Sequence, residues 1–139
     1  MSQLISLSEA AAIGLHSMVY ISSLKEKVNV GQISEYIGSS KHHVAKVMQR
    51  LVKEEFIVSN RGPAGGFELN KKPEEITLLD IYEAIEGPIN THICLGNKIV
   101  CPFKRCIFGD LSFKMTLEFR NYMQSHTLDE YLDDLILKM

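Results

Sequence analysis

The stretch from Asn29 to Asn70 most narrows what this chain can fold into. Asn29 is placed to cap a short helix whose apolar edge is Ile33 and Ile37, and Gly38 is placed to end it in a left-handed turn. Ser39 or Ser40 then caps a second helix. Val44, Val47, Met48, Leu51 and Val52 share one face of it, with Lys41, His42, His43, Ala45, Lys46, Gln49, Arg50 and Lys53 on the others. Two helices across a tight glycine turn, the second basic outside, have the form of a helix-turn-helix. An ordinary helical hairpin with a solvated face has the same pattern. The residues after the second helix separate the two. Phe56-Ile57-Val58-Ser59 is β-prone, Arg61-Gly62-Pro63-Ala64-Gly65-Gly66 is a turn, and Phe67-Glu68-Leu69-Asn70 returns as a second strand. A hairpin directly after a recognition helix is a wing. The predicted fold class is therefore mostly α with a small β-hairpin: a winged helix-turn-helix plus a long dimerisation helix.

Charge agrees with this reading once it is taken locally. The net charge of -2 argues against a uniformly basic nucleic-acid binder. Yet residues 41 to 72 hold seven Lys/Arg against Glu54, Glu55 and Glu68, a local charge of +4 that leaves −6 for the rest. A basic face on an acidic protein is what phosphate binding requires. Lys41, Lys46, Arg50 and Lys53 are the expected phosphate contacts, and Ser40, His42, His43 and Gln49 the expected base-edge contacts. Arg61 at the wing tip is suited to a narrow minor groove, and Gly62, Gly65 and Gly66 would let the backbone approach the duplex. No lysine and Ser/Thr pair comes after this turn and no helix opens on it, so it does not read as a phosphate loop.

The flanking segments complete the plan. Ser6 with Glu9, or else Ser8, caps a first helix running to about Leu24, with Leu7, Ala10, Ala11, Gly14, Met18 and Ile21 at helical spacing. His16 lies on it. Taken alone, it reads as a satisfied core or interface histidine. Thr77 and Asp80 form a capping box for a helix to Glu86, with Leu78, Ile81, Tyr82 and Ile85 buried and Gly87-Pro88 as its stop. All three cysteines, Cys94, Cys101 and Cys106, then fall in one short segment. From about Asp110 a long helix carries Leu111, Met115, Leu117 or Glu118, Phe119 and Tyr122, an apolar stripe read as a dimerisation surface; the alternative is a core helix of the same subunit. Thr127 caps a terminal helix with Leu128, Tyr131, Leu132 and Leu135 on one side. The expected units are residues 1–88 (winged domain, its first helix also serving the dimer), 89–108 (cysteine-containing cofactor loop) and 109–139 (dimerisation and terminal helices). No run approaches the ~18 apolar residues of a membrane span. The first residues show no secretion signal, so a cytoplasmic location is expected. In a reducing compartment an odd number of cysteines favours metal, redox or reactive-thiol roles over a disulfide framework.

This order of elements resembles a family of bacterial winged-helix regulators that includes the iron–sulfur regulator IscR, the nitric-oxide sensor NsrR and the iron regulator RirA. The resemblance spans nearly the whole chain. It is most specific at residues 61–67, at residues 76–87 and in the three cysteines after them. It implies a homodimer on a near-palindromic DNA operator, with no membrane and no small-molecule substrate. It also implies an iron–sulfur cluster, of two or four irons, on Cys94, Cys101 and Cys106. The fourth ligand departs from two known patterns. Gly109 stands where the IscR-like histidine would be, and Ala12 where the NsrR-like carboxylate would be. One turn after Ala12 is His16, where some redox-sensing relatives place a ligand donated by the partner subunit. Asp110, Glu118 and His92 are weaker candidates.

Thiolates with one nitrogen or oxygen donor suit a labile cluster, because the odd ligand leaves one iron open to attack. A Cys₃His zinc site uses the same donors, but the usual Cys-x₂-Cys knuckles are missing. An enzyme is disfavoured: no Cys-x-x-Cys pair and no paired acid and base lie near the cysteines. The functional expectation is a homodimeric transcription regulator switched by the cluster. The alternative is a cluster-free regulator sensing oxidants through its thiols.

Overall fold

The computed structural model describes residues 1–91 and 101–135. Helix α1 (Glu9–Ser23) begins at Ser8, whose side chain accepts from the Ala11 amide; Ser8, not Ser6, is the cap. Helix α2 (Val30–Ile37) opens on the reciprocal Asn29–Gln32 box and closes on Gly38 in the left-handed conformation. Helix α3 (Lys41–Lys53) is capped by Ser40. The hairpin comes next, β1 (Ile57–Asn60) against β2 (Gly66–Leu69), antiparallel with Ile57 opposite Leu69 and Asn60 opposite Gly66. A 3-10 turn at Pro73–Glu75 leads to α4 (Leu78–Glu86), capped by the Thr77–Asp80 box. Helix α5 (Leu111–Ser125) comes after the cysteine segment. The winged helix-turn-helix is thus present, with the long helix after it.

One core serves all of these elements. Met18 and Ile21 of α1, Ile33 of α2, Val44, Met48 and Leu51 of α3, Ile57 of β1 and Ile81 and Ile85 of α4 are buried together. At roughly 1.5–3 kcal/mol for each fully buried large apolar side chain, this cluster is the main stabilising term. Burial on α1 is broader than the expected stripe. Ile13, Leu15 and Ser17 are buried as well, because α1 packs against α3, α4, β2 and the C-terminal turn; Leu7 lies outside the helix and is exposed.

The C-terminal part departs from the sequence reading. The expected terminal helix is, within the described residues, a 3-10 turn at Leu128–Tyr131. The chain before it pairs with the entry to α4: the Leu78 amide donates to the His126 carbonyl at 2.9 Å and the Leu128 amide to the Ile76 carbonyl at 3.0 Å. Leu128 and Met123 join the core, and Phe119 meets Tyr82 edge to face with centroids 5.3 Å apart. The end of α5 therefore belongs to the same core as the winged domain, as in the alternative reading of that helix. Its start does not: Leu111, Phe113 and Leu117 are exposed, as is Tyr122 further on.

Candidate nucleic-acid interface and cysteine segment

The inward face of α3 comes directly from its 3.6-residue period: Val44, Val47, Met48 and Leu51 are buried. That orientation leaves Lys41, His42, Lys46, Gln49 and Lys53 exposed. Three other expected contacts have intramolecular partners. The Ser40 hydroxyl accepts from the His43 amide at 3.2 Å, so it serves the helix cap. His43 Nδ1 lies 3.1 Å from the Glu9 carboxylate on α1. Arg50 Nη2 donates to the carbonyls of Ile85 at 3.0 Å and Ala84 at 3.3 Å. Sequence periodicity puts Arg50 on an outer face, but it cannot show that the end of α4 lies beside that face.

The wing places Arg61 at an exposed tip. Its glycines have internal reasons to be glycine. A Cβ on Gly65 would sit 2.2 Å from the Asn60 carbonyl oxygen, and one on Gly66 would sit 2.7 Å from that of Val28. Close approach within the protein is by itself enough to require glycine at both. Val28 is the element that the sequence did not disclose. It bridges β2, its amide donating to the Phe67 carbonyl at 3.2 Å and its carbonyl accepting from the Phe67 amide at 2.7 Å. The hairpin is thereby tied back to the core in front of α2.

Of the three cysteines, Cys101 and Cys106 are described, both as free and exposed thiols. Cys94 and the weaker candidate His92 fall outside the described residues. Residues 101 to 110 are exposed throughout, including the large apolar side chains of Phe103, Ile107 and Phe108. Among the described residues no three His, Cys, Asp or Glu side chains converge as a metal site within this chain. Asp110 is paired with Lys114 at 3.3 Å and Glu118 is exposed. His16 is exposed on α1 with Nδ1 2.6 Å from the Ala12 carbonyl oxygen. A proton on Nδ1 donated to that carbonyl leaves the Nε2 lone pair available, the arrangement in which an imidazole ligates. His16 also borders an open, mostly apolar groove of about 850 Å³, whose lining includes Leu15, Val19, Tyr36, Met123 and Tyr131. The donors that are described thus suit a thiolate-bound group in type: two free thiols and an exposed, oriented imidazole. No helix of the described residues is long and apolar enough to cross a membrane.

Comparison with known proteins agrees with this geometry. Residues 7–134 match the model of the Rrf2 family, described as iron-dependent transcriptional regulators. The chain is 27% identical over 116 residues to the HTH-type transcriptional regulator IscR of Pectobacterium atrosepticum, covering 84% of this chain and 71% of that protein. It is 33% identical over 81 residues to the HTH-type regulator BadM of Rhodopseudomonas palustris, where the match covers 58% of this chain and 52% of BadM, about half its length. Among solved structures it is similar to CymR, the global cysteine regulator of B. subtilis, with a TM-score of 0.77 and 20% identity over 95% of this chain and 99% of that one. It is also similar to the IscR of T. potens, with a TM-score of 0.75 and 20% identity over 97% and 94%.

Proposed function

We propose that this chain, which belongs to the Rrf2 family of transcriptional regulators, is a cytoplasmic homodimer whose affinity for a near-palindromic operator is switched by an iron–sulfur cluster. Cys94, Cys101 and Cys106 would hold the cluster, with His16 of the partner subunit as the fourth ligand. The observation that carries this reading is the pair of free, exposed thiols on a segment leading into α5. When bound, the cluster supplies a centre that oxidants, nitric oxide or iron loss can alter. The open groove beside His16 supports a role for its imidazole toward a group outside its own subunit. The exposed apolar residues at the start of α5 support association of two copies there. Two recognition helices must lie about 34 Å apart to enter successive major grooves, so a small change in subunit geometry alters operator affinity. Lys41, Lys46 and Lys53 would hold phosphates, His42 and Gln49 reach base edges, and Arg61 enter the minor groove.

The test is purification without oxygen from cells competent to build clusters, with iron and sulfide counted per dimer. Operator binding is then measured before and after the metal is stripped. A brown protein whose visible absorption disappears in Cys101→Ala is expected. A colourless, iron-free preparation would sink the proposal.

A second reading is favoured by the likeness to a global cysteine regulator together with the exposure of Cys101 and Cys106. Here two thiols form a disulfide, giving two protons and two electrons to a peroxide, which leaves as water. DNA binding that responds to peroxide in iron-free protein distinguishes it from the first.

A further inference from the structure

Arg50 lies in the last turn of the recognition helix, yet its guanidinium grips another helix. The carbonyls of Ala84 and Ile85 that accept from it belong to the last turn of α4. Carbonyls at a helix C-terminus lack intrahelical partners and carry the negative end of the dipole, which a cation complements. Three further contacts meet at this end. The Ser8 hydroxyl, the cap of α1, donates to the Glu86 carboxylate. The Glu83 carboxylate accepts from the Ile89 amide at 2.9 Å, two residues past Gly87 with its φ of 85°. At the opposite end of α3, His43 pairs with Glu9, the residue after Ser8. The recognition helix is therefore held at both ends by one corner of the molecule, and the chain toward the cysteines leaves from that corner.

We propose that Arg50 is a positioning residue that couples DNA binding at α3 to the segment leaving α4. A shift of that segment alters the carbonyls Arg50 holds, and so alters the seating of α3; by linkage, DNA bound at α3 steadies the segment. The inference rests on the regulator reading of the cysteine segment. It differs from the phosphate-contact role that helical periodicity assigns to Arg50.

Two measurements test it, both on the full chain and on a duplex selected from a random-sequence library. The first is amide hydrogen exchange with and without the duplex. In the unaltered protein the duplex should slow exchange at residues 85–91. In Arg50→Ala that slowing should be lost while the slowing in α3 and the wing persists. Arg50→Lys, which keeps the charge but not the planar fork, should fall between and serves if Arg50→Ala does not fold. Equal slowing at 85–91 in the variants and the unaltered protein overturns the proposal. The second is duplex affinity of the iron- and sulfide-loaded chain against the metal-free chain. The ratio should shrink at least about threefold in the variants, with the salt dependence of the metal-free chain unchanged. An equal loss in both forms with a salt slope smaller by about 0.9 identifies a phosphate contact and overturns the proposal. If the unaltered protein shows no difference between loaded and metal-free forms, the cluster reading fails, and the exchange measurement still decides the role of Arg50.

Discussion

The wing is braced by a bridge of two hydrogen bonds, and Gly66→Ala should break the brace. Gly66 has φ 150°, a region that L side chains rarely adopt. Holding alanine there costs about 1–3 kcal/mol. The added Cβ would also meet the Val28 carbonyl oxygen at 2.7 Å and its carbon at 2.8 Å, both backbone atoms that no rotamer change can remove. Relief requires Val28 to move away from Phe67, forfeiting hydrogen bonds of 2.7 and 3.2 Å worth about 1 kcal/mol each. The combined loss is about 3–5 kcal/mol, much of the roughly 5–15 kcal/mol typical of a small domain. Urea unfolding followed by circular dichroism, at one fixed protein concentration so that association contributes equally, should show the midpoint falling by about 1.5–2.5 M at a slope of roughly 2 kcal/mol/M. Operator affinity should fall with it. Arg61→Ala is the control: it removes an exposed side chain, so stability should hold within about 0.5 kcal/mol. Its operator affinity should still drop about tenfold, or roughly 1.4 kcal/mol. A Gly66→Ala protein within about 0.5 kcal/mol of the parent would refute the bracing argument.

Two further substitutions probe other joints. Glu55 is the one non-glycine residue with positive φ among those described, at 66° in the turn between α3 and β1. Its partners there are backbone and the Asn70 side chain: its amide reaches Val52 and its carbonyl accepts from Asn70. Glu55→Gly should therefore leave the turn intact and stabilise the protein by up to about 1 kcal/mol, seen as a higher Tm; a lower Tm would reveal a role for the carboxylate. The Glu130 carboxyl is held below the usual carboxylate range, first by the Thr127 amide and then by His126. A lowered folded-state pKa gives stability that is present above the ordinary carboxylate value and lost as pH falls through the folded one. Glu130→Gln should lower Tm at neutral pH and match the parent at acid pH. A difference that persists unchanged in acid would contradict the assignment.

The parts of the fold legible in the sequence are those set by contacts a few residues apart. The Asn29 cap, the Thr77–Asp80 box, the left-handed Gly38 and the wing turn each involve chemistry close along the chain. The inner face of α3 shows because one side alone is buried. Helix α1 is less legible: neighbours on several sides bury Ile13, Leu15 and Ser17 alongside Met18, so no single stripe marks its core face. Val28 is too brief a pairing to leave any periodicity. The joining of 126–128 to 76–78 links residues about fifty apart, and nothing local encodes it. The same holds for the candidate site. Exposure of Lys41, Lys46 and Gln49 comes from helical phase, whereas the engagements of His43 and Arg50 depend on which helix ends meet.

Magnitudes limit what each route between the cysteine segment and the DNA surface can carry. A bound group shifts operator affinity only by its differential stabilisation of two geometries, about 1.4 kcal/mol for each factor of ten. A hydrogen bond involving a charged group contributes roughly 1.5–3 kcal/mol where water is excluded, but Arg50 is exposed, which puts its pair at the lower end. The Arg50 joint can therefore account for a switch of about tenfold within one subunit. A switch of a thousandfold needs about 4 kcal/mol and must draw on a larger surface. The exposed start of α5 is the surface placed to supply it, because it comes directly after the cysteines and carries Leu111, Phe113 and Leu117. The size of the measured switch thus discriminates between a signal contained in one subunit and one that passes through the proposed dimer.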